Sequence, residues 1–384
     1  MKALQFERNI ARFAAANAIS RLSPGKGATV GPLALREIDP PDFPTDEWVR
    51  LRPRLAGICG SDLATIDGRS SRYFEPIVSF PFVPGHEVVG DLDDGSRAVL
   101  VPVLSCVTRG IDPPCDWCAL GHINRCERVA FGHLAPGLQS GYCTDTGGGW
   151  GTQMVAHPSQ LVAVPDDLSD EAAVLVEPTA CAVHAARQTA DDFVAVIGSG
   201  TLGLLTIAAL RHSAHPPKGT LLATARYHDQ QILAKELGAD VVIEPNEVGR
   251  RVRSITGSLA LGDQLTCGFE TVIDCVGSAD SIAHALQIVA PGGKIALVGM
   301  PGHTALDLTG LWHREVSITG CYAYQHEDFA TAIGLVRSAE LERLVSATYP
   351  LAEFRRAIEH AATAGRRGAV KVAFDLRGEK ERNR

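Results

Sequence analysis

The chain has 384 residues, with 36 Lys and Arg against 44 Asp and Glu and a formal net charge of -8. An acidic balance of this kind argues against nucleic acid or an anionic membrane as the main partner. The length is enough for two domains with ordinary cores, and 45% apolar and 21% charged residues describe a soluble globular chain.

The first 20 residues, MKALQFERNIARFAAANAIS, place Lys2, Glu7, Arg8 and Arg12 inside every apolar run. No secretory segment is expected there, and no stretch of the chain has the length and apolarity of a membrane span. A cytoplasmic protein is expected, with reduced cysteines available to metal. Up to about residue 165 the chain is a series of short apolar runs separated by Gly and Pro, such as WVRLRPRLAG (48–57), RAVLVPVLS (97–105) and QLVAVPDD (160–167). These predict strands and a β-rich domain. Two Gly-flanked turns lie within it, AGICGSD (56–62) and PFVPGHEVVG (81–90), and they carry Cys59, His86 and Glu87. Taken singly, such residues are ordinary: a buried Cys is a small hydrophobe, and a His-Glu pair is commonly a surface hydrogen bond.

The segment CVTRGIDPPCDWCALGHINRC (106–126) is different, because four cysteines fall within 21 positions. Cys115, Cys118 and Cys126 read C-x2-C-x7-C, and Cys106 lies further upstream. In a reduced compartment this crowding points to metal rather than to disulfides. From Asp170 the texture changes. DEAAVLVEPTACAVHAARQ (170–188) predicts a helix, after which strands and helices alternate: FVAVIG (193–198), TLGLLTIAALRH (201–212), TLLATAR (220–226), DQQILAKELGA (229–239), TVIDCVG (271–277), SADSIAHALQIV (278–289) and KIALVG (294–299). This alternation predicts a doubly wound parallel sheet. Its first turn, IGSGTLG, is G-x-G-x-x-G at Gly198, Gly200 and Gly203. Following a β-branched strand and opening an apolar helix, it predicts a dinucleotide site with the pyrophosphate at the helix N-terminus. The closing RGEKERNR (377–384) predicts a solvated tail.

In order along the chain, GICGSD, PGHEVVG, the cysteine segment, VEPTACAVHA, VIGSGTLGLL, LAKELGAD, IDCVGS, PGGKIALVG and GAVKVAF resemble the zinc-dependent medium-chain alcohol dehydrogenase family. The likeness covers nearly the whole chain. It implies an α/β fold made of a β-rich GroES-like catalytic domain (1–187 and 324–384, with a zinc lobe at about 104–128) and a Rossmann domain (188–323). It also implies two zinc ions, one structural and one catalytic, a homodimer or homotetramer, and a small alcohol, polyol or sugar as substrate. The structural ligands implied are Cys106, Cys115, Cys118 and Cys126. The family's tighter spacing would put Asp112 first, whereas Cys106 has the family's distance from a strand-ending proline, Pro102.

For the catalytic zinc the resemblance implies Cys59, His86 and a carboxylate from Glu87 or Glu177, as in the polyol, sugar and amino-alcohol branches. Ser61 matches the family's proton-relay hydroxyl, Asp62 the residue that orients the ligand His, and Lys371 a partner for Asp62 or Glu87. Where relatives read GSDLH this chain has Ala64, so Thr65, water or a substrate hydroxyl is left to complete the relay. For the cofactor, Thr201 and Leu202 join the glycines, with Val276, Gly277, Val298 and Gly299 from the later strands. The ribose-binding carboxylate of NAD-dependent relatives is replaced by Ala225, and Arg226 follows, which points to NADP over NAD. Two other functions share the fold: a nucleotide sensor without activity, suggested by Ala64, and a zinc-free enone or quinone reductase, which Cys59, His86 and the cysteine segment oppose. The stretch 11–32 is longer than in typical relatives.

Overall fold

The computed structural model describes every residue except Ala190, Pro301 and 379–384. It divides into two compact units, Met1–Glu177 with Gln325–Arg384, and Pro178–Tyr324.

The first unit is organised around the long strand Val49–Gly57, whose alternating residues bury Leu51 and Leu55. On one edge it pairs antiparallel with Val88–Asp91, and on the other with Lys371–Asp375. The sheet continues through Arg97–Leu100 to Leu161–Ala163 on one side and through Val345–Tyr349 on the other. Met154–Ala156 also pairs with the central strand. Strand register sets the position of the candidate ligands. Ala56 faces Val88 and Gly57 faces Ala373, so residues 59, 86–87 and 371 all sit where three adjacent strands begin or end.

The stretch at 11–32 forms a helix, Ile10–Ser20, and a short turn of helix, Gly27–Val30. Both are tied to Asp67, which is buried directly after the helix Gly60–Ile66. The Asp67 carboxylate accepts from the backbone of Gly25 (3.0 Å) and Gly27 (3.2 Å), and Ser20 donates to its carbonyl. The expected helix from Asp170 is split into Asp170–Ala173 and Val176–Ala186. Pro178 is the physical reason: it lacks an N–H, and its ring would clash with the carbonyl of Val174 in a continuous helix. Arg377, the first residue of the expected solvated tail, is instead held by Asp170, Asp375 and Glu171. The remainder of that tail from 379 lies outside the described residues.

The second unit is a six-stranded, all-parallel sheet in the order Val241–Ile243, Leu221–Thr224, Val194–Ile197, Phe269–Asp274, Val289–Leu297, Ser317–Gly320. Numbered along the chain this is 3-2-1-4-5-6, the dinucleotide-binding order, with its switch point between the first and fourth strands. Fully buried Ala195, Leu222, Val272 and Ile295 fill the sheet, and helices such as Thr201–Arg211 and Ala279–Ile288 cover it.

Candidate active site

Cys59 ends the extended segment after the central strand and caps the helix Gly60–Ile66. Its backbone N–H donates to Asp62 Oδ2 at 3.0 Å, closing a capping box that fixes the first turn. The other oxygen of Asp62 faces Nδ1 of buried His86 at 3.5 Å, longer than a well-formed hydrogen bond. Burial works to lower the His86 pKa, but the Asp62 carboxylate and the Cys59 sulfur outweigh it and raise it well above the ordinary value. Glu87, next in the chain, is buried and forms an ion pair with buried Lys371. Lys371 also donates to the Ile58 carbonyl at 3.2 Å. Burial lowers its pKa, while Glu87, Cys59 and Glu177 together hold it above the usual lysine value. Gly57 makes this approach possible, because a Cβ there would lie 1.8 Å from Glu87 Oε2 and 2.8 Å from Lys371 Cε.

Tyr142 closes the site from a loop that no sequence motif singles out. Its ring lies 6.1 Å from that of His86. Its hydroxyl meets Asp62 Oδ1 at 3.4 Å and Thr65 Oγ1 at 3.3 Å. Burial first, then the charges of Asp62 and Cys59, push its pKa well up, so the phenol stays protonated.

Thiol, imidazole and carboxylate are a donor set suited to zinc, and an imidazole whose second nitrogen faces a carboxylate is the usual arrangement for a ligand histidine. Among the described residues, however, Cys59, His86 and the glutamates do not converge as closely as the four lobe cysteines do. Sγ atoms of Cys106, Cys115, Cys118 and Cys126 all lie within 4.8 Å of one another. The group includes Cys106 and not Asp112. Backbone N–H groups of Cys115 and Arg128 point at the sulfurs of Cys106 (3.3 Å) and Cys126 (3.4 Å). Burial raises the Cys115 pKa, but donors from Glu127 and Cys118 overcome it and bring the thiol down to about 7. Cys118 and Cys126 are pushed up, by burial first, and Cys126 reaches about 11. Four sulfurs this close resist shared negative charge unless a cation offsets it, which is the chemistry of a closed zinc site made of four thiolates.

The second unit shapes a nucleotide cradle. Gly198, at φ +89°, turns the chain directly after the first strand, and a Cβ there would lie 2.2 Å from Val276 Cγ2. Gly203 packs on the Gly198 carbonyl, while a Cβ at Gly200 would meet open space. Thr224 ties the loop down, accepting from the Gly198 N–H at 2.8 Å and from the Ser199 hydroxyl at 2.9 Å. Gly200 caps the helix Thr201–Arg211 with no side-chain hydrogen bond, which leaves its first turn suited to phosphate. Ala225 is buried at the end of the second strand and Arg226 beside it is exposed.

The family model "Alcohol dehydrogenase GroES-like domain" matches residues 45–166, and "Zinc-binding dehydrogenase" matches 201–338. The chain belongs to the zinc-dependent medium-chain alcohol dehydrogenase family. It is an oxidoreductase that uses zinc and NAD(P). Among its relatives, an L-idonate 5-dehydrogenase from Vitis vinifera is 29% identical, over 85% of this chain and 88% of the relative. A sorbitol dehydrogenase from Arabidopsis thaliana is 28% identical, over 90% and 92%. The structure of an alcohol dehydrogenase from Thermus sp. ATN1 superposes with a TM-score of 0.71 at 26% identity, over 98% and 99%.

Two further residues of this dehydrogenase escape a reading of its sequence. Arg109 is fully buried at the base of the zinc lobe and donates to the carbonyls of Leu104, Phe131, Leu134, Ala135 and Gly137. Asp274 accepts from Val276 N (2.9 Å), Gly277 N (3.1 Å) and Ser281 Oγ (2.8 Å), holding the nucleotide-side turn in place. No motif marks Arg109. Asp274 belongs to IDCVGS, a motif that points to the nucleotide site without marking which of its residues holds the turn.

Proposed function

We propose that the enzyme oxidises a secondary hydroxyl of a polyol or sugar, and reduces the corresponding carbonyl, with NADP preferred over NAD. The observation that carries this is the meeting of Cys59, His86 and Glu87 at adjacent strand ends, braced by two buried ionic partners, Asp62 and Lys371. Zinc held by Cys59, His86 and a carboxylate of Glu87 or Glu177 would supply a Lewis acid that acidifies the substrate hydroxyl. NADP would supply the hydride acceptor, bound through Gly198, Gly200, Thr201, Leu202 and Gly203, with Val276, Gly277, Val298 and Gly299 beside it.

The chain's own residues do the rest. Asp62 fixes the helix start and faces the imidazole of His86, while Lys371 pairs with Glu87 and offsets its charge. Ser61 receives the proton that the substrate hydroxyl loses. The names of the relatives, an L-idonate and a sorbitol dehydrogenase, support a polyol or sugar acid over a simple alcohol. A carboxylate at the end of the second strand would repel a 2′-phosphate. Ala225 removes that repulsion, and exposed Arg226 offers a charged donor to the phosphate. Such a bond contributes about 1.5–3 kcal/mol, or roughly ten- to a hundredfold in preference. A reducing, cytoplasmic setting completes the reading, in keeping with ten free cysteines, and a homodimer or homotetramer is inferred from the family resemblance alone.

A screen of polyols, sugars and secondary alcohols against both cofactors tests it, with kcat/KM compared in wild type and Arg226→Ala. Turnover of a polyol with NADP favoured, and that preference lost in the variant, is the expected result. A wild type preferring NAD removes the cofactor assignment, and one that turns over nothing removes the function.

A further inference from the structure

Residues 10–30 supply no candidate ligand, yet they are bound to the helix that carries the site. That helix, Gly60–Ile66, has Cys59 as its N-cap and Asp62 in its first turn. Seven residues make about two turns, too short a body to bend, so its direction is fixed only if both ends are held. The capping box of Cys59 and Asp62 holds the first end. At the other end Asp67 is buried, and the backbone N–H groups of Gly25 and Gly27 donate to its two oxygens at 3.0 and 3.2 Å. Hydrogen bonds to an ionised carboxylate are roughly twice as strong as neutral ones. Arg69 stands 3.8 Å from the same carboxylate with its side chain half in solvent. Ser20 donates to the Asp67 carbonyl at 3.0 Å, and Asn17 to that of Gly68 at 2.8 Å. The fit is close, since a Cβ on Gly27 would lie 2.6 Å from Asp67 Oδ1. The same turn also reaches toward Lys371. Lys26 pairs at 2.6 Å with Glu359 of the helix Phe354–Ala362, which packs on the strand Lys371–Asp375. That pair is partly exposed and adds little alone; buried Asp67 carries the junction.

We propose that residues 10–30 are a brace for the catalytic zinc site, with Asp67 as the positioning residue. Asp67 touches neither substrate nor cofactor. It ties the far end of the helix Gly60–Ile66 to the brace, and the helix in turn holds Asp62 against His86. At 3.5 Å the contact between Asp62 and His86 is at the limit of a hydrogen bond, so a small swing of the helix decides whether it is kept. A ligand histidine that loses its carboxylate partner holds metal less well. The proposal rests on the assignment of Cys59, His86 and Asp62 to the catalytic zinc made above.

The test compares Asp67→Asn, whose amide keeps one acceptor oxygen, with Gly27→Ala, which strains the same contact from the brace side. Each full-length protein is loaded with zinc, and loss of its ions to a chelator is timed well below the melting temperature. Cys59→Ala identifies which ion belongs to the catalytic site. Both variants should release that ion about fivefold faster or more, short of the roughly ten- to hundredfold of losing a direct partner such as Asp62. Lobe zinc and cofactor Kd should stay as in wild type. In an Asp62→Asn background neither change should add to the rate, because the brace acts through Asp62. Where either variant does not fold, Asn17→Ala with Ser20→Ala takes its place, removing two outer bonds to the helix end. A lower melting temperature with zinc release unchanged overturns the proposal, and so does faster release that persists in Asp62→Asn. A wild type that holds only the lobe zinc, or keeps full turnover without the second ion, overturns the site assignment itself. That is a separate result from a two-zinc enzyme whose variants match it.

Discussion

The zinc lobe and the site around Cys59 use the same kinds of ligand but are assembled over different distances. In the lobe, all four donors come from one segment of 21 residues, folded on itself by short turns, and their sulfurs lie within 4.8 Å. Around Cys59 the candidate ligands come from residues 59, 86, 87 and 177, with Lys371 near the far end of the chain. Residues 59, 86, 87 and 371 are brought to neighbouring strand ends because three strands are in register, and the charged partners there are Asp62 beside His86 and Lys371 beside Glu87 rather than crowded thiols. A local site can be lost without disturbing the sheet that builds the distant one, and each can therefore be tested separately.

The sharpest break is Cys118→Ala. Three thiols cannot close a tetrahedral site, so zinc content should fall by one ion per chain and the melting temperature by about 10 °C or more. Zinc analysis with calorimetry checks this, and Cys59→Ala provides the contrast: activity gone, lobe zinc and most of the stability retained. A Cys118→Ala protein as stable as wild type would mean that the lobe is held by Arg109 and its carbonyls instead.

Lys371→Met should have the next largest effect. It leaves the Glu87 carboxylate buried without its counter-charge, and breaking such a pair costs about 3–5 kcal/mol. Urea unfolding should show that loss, and Lys371→Met with Glu87→Gln should recover part of it, because the stranded charge is then gone. An additive double variant would mean that the two side chains are not coupled.

The smallest effect is expected for Glu177→Gln, which keeps shape and removes charge. Turnover should fall about tenfold, the scale of losses around a metal, with cofactor affinity near normal. Unchanged turnover would reduce Glu177 to a favourable charge in the first turn of its helix.

Much of this was legible from the residues themselves. The parallel sheet showed in alternating β-branched and apolar helical runs, the nucleotide turn in Gly198, Gly200 and Gly203, and the lobe in its cysteine spacing. Cys106 could be preferred over Asp112 only by resemblance, and the convergence of its sulfur with the other three came from the folded turns. The helix break before Val176 could have been read from Pro178.

Spacing along the chain determines what neighbouring residues can do, because turns and single strands have fixed geometry; that is why the lobe and the glycine loop could be placed from the sequence. Strand register is a property of pairs of distant segments, and only it decided that Lys371 would be buried against Glu87 rather than left on the surface. The same holds for Tyr142. Nothing near it in the chain marks it, and it gains a role only because its loop folds over the helix that carries Ser61, Asp62 and Thr65.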